Sequence, residues 1–185
     1  MTPDPLWVDF GLPSGLKWGR MNVGASSPSD EGLYFSWGNT QGFYITDPYN
    51  FSVEAYDASP GKQISVDLTL ENDAARAVMG SPWRMPSQAE AGELMQYCTF
   101  VWGTLNGRYG LLLTSTINGQ VMFLPAAGYL AGESRQSFNG NGHFWTSSFF
   151  NTGSCYDMYL NSERFELLQD VRRLGFPIRP VYDPT

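Results

Sequence analysis

The chain has 185 residues, of which 42% are hydrophobic and 16% are charged, a composition that predicts one folded domain and excludes a disordered segment. Its net charge of −7, from 18 acidic and 11 basic side chains, argues against a nucleic-acid partner because phosphate repels an acidic protein. No apolar run is long enough to span a membrane, and Met1–Trp18 lacks the basic-then-apolar pattern of a signal peptide. We therefore expect either that this export route is not used or that a leader preceded Met1.

The first third of the chain predicts short extended segments followed by a long irregular one. Leu6–Phe10, Leu16–Val23 and Leu33–Trp37 are strand-like because they are aromatic or β-branched and are bounded by glycine-rich turns. Residues 38–70 show no clear periodicity, so we interpret them as a surface insertion that allows for one strand near 63–68. Loops of this length are usually functional or mobile.

Two helices are predicted next. The first covers Ala74–Met79, with Asn72 or Asp73 as the N-cap and Gly80 as the stop.

The second helix begins at a Ser-x-x-Glu capping box made of Ser87 and Glu90. Its apolar residues recur at helical spacing and should face the core. They are Ala91, Leu94, Met95 and Cys98.

Strand signals dominate the rest of the chain. Asn118-Gly119 is a strong hairpin-turn signal between two strand-like runs. The predicted strands are Gly110–Ser115, Gln120–Leu124, His143–Ser147, Cys155–Leu160 and Phe176–Val181. Early strands, then helices, then a run of strands predict a single α+β domain over residues 1–185.

The side chains that could support catalysis or bind a metal are few. Cys98 and Cys155 could form a disulfide or remain buried thiols. His143, the one histidine, follows a glycine-rich run and is interpreted as a surface or contact residue rather than a base. Arg172 and Arg173 are interpreted as a solvated turn. Because no Cys/His cluster occurs and the carboxylates are scattered, we predict no metal site and no cofactor.

Several sequence blocks resemble the Fibrobacter succinogenes major paralogous domain. The most specific is Trp7–Trp18, and the matching blocks follow in the same order as far as residue 181. The others are Asn22–Pro28, Gly32–Gly38, Glu71–Ala75, Trp83–Ser87, Cys98–Phe100, Phe123–Gly128, Trp145–Ser148 and Ile178–Val181.

This resemblance implies a C-type-lectin-like fold, in the branch shared with formylglycine-generating enzymes and the variable proteins of diversity-generating retroelements. Two helices would brace twisted antiparallel sheets with long loops, the first and last strands would lie close together, and the segment after Trp145 would form an exposed ligand face. Members of the family are commonly extracellular or surface-anchored, often as lipoproteins, and some relatives are phage-encoded. Met21 stands where relatives often have a cysteine that could pair with Cys98, so this chain lacks one partner of the family disulfide.

The candidate ligand-binding variable region is 145–175. Phe149 and Phe150 adjoin, so on a strand only one ring can face inward, although both could also pack beneath the glycine-rich loop. Exposed aromatic rings beside amides and hydroxyls are typical of binding surfaces. The candidate contact residues are Phe149, Phe150, Asn151, Thr152, Ser154, Cys155, Tyr156, Asp157 and Arg164.

These observations favour a non-enzymatic binding module with an unknown protein or carbohydrate ligand. That a retroelement diversifies its contact residues is a hypothesis. The chain lacks the Glu-Pro-Asn, Gln-Pro-Asp and Trp-Asn-Asp triplets of calcium-dependent sugar binding. An alternative is a formylglycine-generating oxidoreductase, because Arg84–Glu90 resembles a stretch of those enzymes. Such an enzyme also needs two neighbouring cysteines that take up copper, and we do not expect Cys98 and Cys155 to meet. A third alternative is a structural tip domain of a surface fibre or phage tail.

Overall fold

The computed structural model describes residues 5–185 and is a mixed α+β structure built mostly from antiparallel strands. Within these residues the α-helices are α1 (Val53–Asp57), α2 (Ala74–Met79) and α3 (Gln88–Tyr97). The strands are β1 (Trp7–Val8), β2 (Lys17–Gly19), β3 (Trp83–Arg84), β4 (Cys98–Leu105), β5 (Arg108–Ser115), β6 (Val121–Pro125), β7 (Tyr129–Ala131), β8 (Ser134–Gln136), β9 (Gly142–Phe149), β10 (Ser154–Leu160), β11 (Phe165–Val171) and β12 (Val181–Tyr182). The α+β prediction is confirmed.

The two ends of the described chain meet in one sheet. Its strand order is β1-β2-β12-β3, so the last strand lies between two others. Val181 pairs with Trp18 on one side and with Arg84 on the other, both antiparallel. The first and last strands therefore share one sheet, with β2 between them, in agreement with the close approach that the family resemblance implied.

The sheet that carries the candidate site has the order β11-β10-β9, and its strand β9 is buried on both faces. Phe144 belongs to the hydrophobic cluster that includes Ala91 and Leu94 of α3. Trp145, the next residue of β9, belongs to a second cluster with Trp37. Because successive side chains of a strand point to opposite faces, β9 has apolar layers above and below it. The remaining strands form a three-stranded sheet, β4-β5-β6, and the pair β7-β8.

The predicted helix caps are confirmed. The Asp73 carboxylate accepts a hydrogen bond from the Arg76 N–H at 2.9 Å, so Asp73 rather than Asn72 is the N-cap of α2. Gly80 ends the helix with a φ of 77°, a conformation that favours glycine. At α3, Ser87 and Glu90 form the complete reciprocal capping box.

Several strand predictions were wrong or too long. The predicted strands Leu6–Phe10, Leu16–Val23 and Phe176–Val181 are reduced to Trp7–Val8, Lys17–Gly19 and Val181–Tyr182. Residues 63–68 are not a strand. The insertion (residues 38–70) instead contains α1 and the short 3₁₀ turn Pro60–Gln63, and a second 3₁₀ turn, Leu70–Asn72, begins at its end. A proline-initiated turn at residue 60 leaves the following backbone irregular. The segment Leu33–Trp37 forms only isolated bridges, such as the one between Phe35 and Phe176.

None of the helices within residues 5–185 combines the length and the apolar character needed to cross a bilayer.

Candidate functional site

The loop that joins β9 to β10, residues 150–153, presents one of the two adjacent phenylalanines to solvent. Phe150 is 47% exposed. Phe149 is half-buried, and its ring centroid lies 6.2 Å from that of Trp37 in the second hydrophobic cluster. The prediction that only one of the two rings faces inward is confirmed.

The loop is short and its backbone is fixed by one side chain. Oδ1 of Asn151 accepts hydrogen bonds from the N–H groups of Gly153 and Ser154, each at 2.8 Å, which is the pattern of an Asx turn. The Phe150 ring makes an edge contact with Tyr156, with ring centroids 5.3 Å apart. Asn151 and Thr152 are exposed, and Ser154 and Tyr156 are half-buried. We call Phe150, Asn151, Thr152 and Tyr156 the contact face.

Three residues predicted for this face lie elsewhere. Cys155 and Asp157 are fully buried, because they alternate with Tyr156 along β10 and point to its inner side. Arg164 is exposed, but it lies in the turn after β10, at the far end of that strand from the loop, and it pairs with Glu166 at 3.0 Å. The structure therefore brings together only part of the predicted set.

The insertion (residues 38–70) packs against this region through Arg172. Nε of Arg172 donates to the Tyr56 hydroxyl at 3.1 Å, and Nη2 donates to the carbonyl oxygens of Gly61 at 2.6 Å and Ile64 at 2.7 Å. The guanidinium also lies over the Trp37 ring, 4.9 Å from its centroid. Arg172 is 2% exposed, so the interpretation of this position as a solvated turn was wrong. The insertion supplies the acceptors that compensate for burying the charge.

Further hydrogen bonds join the insertion to β9. The N–H of Phe149 donates to Oδ1 of Asp67, and the N–H of Leu68 donates to the carbonyl of Ser147, each at 2.8 Å. Nη1 of Arg172 also reaches the Thr152 carbonyl at 3.4 Å, inside the β9–β10 loop. The contact face and the insertion therefore form one continuous surface.

Sequence interpretation missed a buried polar cluster, the His143 cluster, made of His143, Asp157 and Asp170. These residues lie on the adjacent strands β9, β10 and β11. Nδ1 of His143 lies 2.8 Å from Oδ2 of Asp157 and 3.3 Å from Oδ2 of Asp170. The imidazole stacks on Phe176 with ring centroids 4.5 Å apart and is 7% exposed, so its interpretation as a surface residue was wrong.

The electrostatics of the His143 cluster favour a protonated imidazole. Burial acts to lower the pKa of His143, but the hydrogen bond with Asp157 and the contact with the Asp170 carboxylate raise it to about 9. Burial raises the pKa of Asp157 to about 7, against the lowering effect of His143. The pKa of Asp170 is held below its usual range by its contact with His143.

The His143 cluster is also the group of described residues whose donor atoms could hold a metal ion, since these atoms lie within 4.8 Å of one another. Oδ1 of Asp157 has no hydrogen-bond partner within residues 5–185. The 2.8 Å contact between His143 and Asp157 is fully explained by an imidazolium donating to a carboxylate. A metal ion would have to displace that proton, so the arrangement suits a fixed internal ion pair better than a coordination site.

The stretch that resembles formylglycine-generating enzymes has a structural role. Nη2 of Arg84 lies 2.6 Å from Glu90 and 3.0 Å from Asp183, which joins the start of α3 to β3 and the C-terminal tail. Burial acts to raise the pKa of Glu90, yet Arg84 and the cap at Ser87 bring it below its usual range. Cys98 and Cys155 are both free, buried thiols in different hydrophobic clusters.

No family model, curated protein or solved structure matches this chain.

Proposed function

We propose that this chain is a non-enzymatic recognition module with a C-type-lectin-like fold, which binds a protein or glycan ligand through the contact face. Three features support the proposal: the α+β architecture, the presence of the first and last strands in one sheet, and the helix pair that precedes the strand-rich half. The proposed setting is the cell surface, where a lipid anchor would be supplied by a leader, or a phage particle.

The observation that supports this function most directly is the exposure of Phe150 on an ordered loop. A side chain that is 47% exposed but held by Tyr156 and an Asx turn loses little conformational freedom on binding. Aromatic rings of this kind contribute much of the binding energy at interfaces, and adjacent amides and hydroxyls provide adaptable hydrogen bonds. Asn151 and Thr152 supply such groups beside Phe150.

Burial also defines which positions could vary if a retroelement diversifies the region 145–175. Residues 150–153 project from the sheet, so substitutions there would leave the apolar layers intact. Cys155 and Asp157 are fully buried, and substitutions there would disturb the core. We therefore propose that any diversification is confined to the contact face and its immediate neighbours.

The binding function is favoured over a copper oxidoreductase by the state of the thiols. Burial raises the pKa of Cys98 to about 11 and that of Cys155 to about 12, so both remain protonated at neutral pH. The two residues also belong to different hydrophobic clusters. A copper site needs neighbouring thiolates, which this arrangement does not provide.

A glycan array and a pull-down from surface extracts test the proposal, with the wild type compared with Phe150→Ala and Tyr156→Ala. Val121→Ala is a matched control, because Val121 is 46% exposed on β6, in a different sheet. Phe150→Ala should weaken binding at least about tenfold, and Val121→Ala should not. If both contact-face variants kept every interaction of the wild type, the proposed face would be wrong.

A further inference from the structure

One cavity lies between the insertion and the residues that follow β11. It has a volume of about 410 Å³, within the usual range for sites that bind small molecules. Aromatic, amide, hydroxyl and guanidinium groups share its wall. The lining residues used below are Thr40, Gln41, Phe43, Asn50, Phe51 and Arg173.

Arg173 brings an unneutralised positive charge to this cavity. Its guanidinium makes one hydrogen bond, from Nη1 to the Phe51 carbonyl at 3.3 Å. No carboxylate of residues 5–185 lies within ion-pair distance of it. Nε and Nη2 of Arg173 are therefore available as a pair of donors. The positive charge at this cavity contrasts with the net charge of −7 on the whole chain.

The neighbouring Arg172 adds to the positive potential. The groups that accept hydrogen bonds from the Arg172 guanidinium are neutral: the Tyr56 hydroxyl and carbonyl oxygens such as those of Gly61 and Ile64. Arg173 lines the cavity, and Arg172 is bonded to Tyr56, which also lines it. Neither guanidinium has a carboxylate partner among residues 5–185. Such a site favours an anion, and a guanidinium fork matches the planar, bidentate geometry of a carboxylate.

The rest of the wall suits a ligand rich in hydroxyl groups. Thr40 and Gln41 are exposed, and their side chains make no hydrogen bond to other residues of the described range. Asn50 uses its Oδ1 to accept from the Ser52 N–H at 2.9 Å, which leaves its amide NH₂ as a donor. The rings of Phe43 and Phe51 stand edge to face, with centroids 5.9 Å apart, and offer an apolar surface to C–H groups.

We propose that this cavity binds a saccharide that bears a carboxylate, with the carboxylate on Arg173 and the sugar ring between Phe43 and Asn50. Recognition of the acid by a guanidinium requires no calcium ion. The site is separate from the contact face, since none of Phe150, Asn151, Thr152 and Tyr156 lines the cavity. Either proposal can therefore fail without the other.

The test compares two sugars that differ only in the acid: methyl β-D-glucuronide and methyl β-D-glucoside. Their affinities for the full chain are measured by titration calorimetry, with ligand-observed NMR for weak binding. The glucuronide should bind at least about tenfold more tightly than the glucoside. Arg173→Gln should remove this preference, whereas Arg164→Gln, an exposed arginine paired with Glu166, and Phe150→Ala should preserve it.

Three results would overturn the proposal: no saturable binding of the glucuronide, equal affinity for both sugars, or an unchanged preference in Arg173→Gln. Circular dichroism and thermal unfolding establish whether each variant is folded. If Arg173→Gln does not fold, Asn50→Ala replaces it, because Asn50 is an exposed residue of the cavity lining. Glucuronide affinity equal to that of the wild type in Asn50→Ala would then count against the site.

Discussion

The Tyr56 hydroxyl accepts a hydrogen bond from Nε of Arg172 at 3.1 Å and donates one to the Trp37 carbonyl at 2.8 Å. Burial raises the pKa of Tyr56 to about 12, so this hydroxyl keeps its proton at neutral pH and can serve in both bonds. The pair joins helix α1 of the insertion to the residue that follows β11. The insertion is therefore held to the domain by a buried guanidinium as well as by apolar contacts.

Replacing Arg172 with methionine should loosen the insertion. The substitution fills a similar volume but leaves the Gly61 and Ile64 carbonyls without their donor, and we expect the free energy of unfolding to fall by about 2–4 kcal/mol. Hydrogen exchange should increase in residues 53–68 before it increases in β9. The control Arg164→Met, on the surface, should change stability by less than about 0.5 kcal/mol. Unchanged exchange in the insertion would show that Arg172 does not hold it.

The His143 cluster should make stability depend on pH. The pKa of His143 is raised to about 9 in the folded state, above its usual value of about 6.5. The resulting stabilisation is complete below about pH 6.5 and is lost as pH rises through about 9. Because the pKa of Asp157 is also raised, its contribution acts in the same direction, with stability lost as pH rises through about 7.

Chemical denaturation of the wild type and His143→Asn at pH 6 and pH 9 measures this effect. Between these values the wild type should lose about 3 kcal/mol more of its free energy of unfolding than the variant does. The variant serves as the control for all other titrating groups. Parallel pH profiles for the two proteins would contradict a protonated His143 between the carboxylates.

The two cysteines should be unreactive in the native state. Because both thiols are buried and their pKa values are raised, an aromatic disulfide reagent should label them slowly at neutral pH and rapidly after unfolding. Phe150→Cys supplies a matched exposed thiol, which should react at once. Rapid native labelling of the wild type, or stoichiometric copper(I) uptake, would reopen the oxidoreductase alternative.

Ser87→Ala should destabilise the domain by about 1 kcal/mol, the usual cost of losing an N-cap side chain. The Ser87 hydroxyl accepts from the Glu90 N–H at 3.2 Å, while the Glu90 carboxylate also pairs with Arg84. Thermal or chemical unfolding measures the change. Ser162→Ala, in the exposed turn after β10, is the control and should be nearly neutral. Equal stability of the two variants would mean that water replaces the cap.

Features set by neighbours in the sequence could be predicted, and one such feature was overlooked. The caps at Asp73 and Ser87 depend on residues three positions away and were located correctly. Asn106-Gly107 has the same kind of local signal: both residues have positive φ, 51° and 76°, in the two-residue loop between β4 and β5. Alternation along β10 also predicts that Cys155 and Asp157 share a face opposite Tyr156, as observed.

Features that depend on residues far apart in the sequence could not be predicted from local sequence signals. Arg172 is separated by 116 residues from Tyr56 and by 111 from Gly61, so nothing near it in the sequence indicates that its charge is buried. His143 follows a glycine-rich run that is typical of a surface loop, yet its carboxylate partners come from two other strands. A buried polar side chain is identified by its acceptors, and only tertiary structure brings these together.

The position of β12 has a consequence for how the protein matures. Val181 and Tyr182 occupy an inner place in the sheet, between β2 and β3, and they are among the last residues of the 185 to leave the ribosome. Residues 17–19 pair with β1 locally but must wait for their second partner, which is made more than 150 residues later, and this is a slow, non-local closure. During synthesis the half-finished sheet presents open edges, the state in which nascent chains are most prone to aggregate or to need a chaperone.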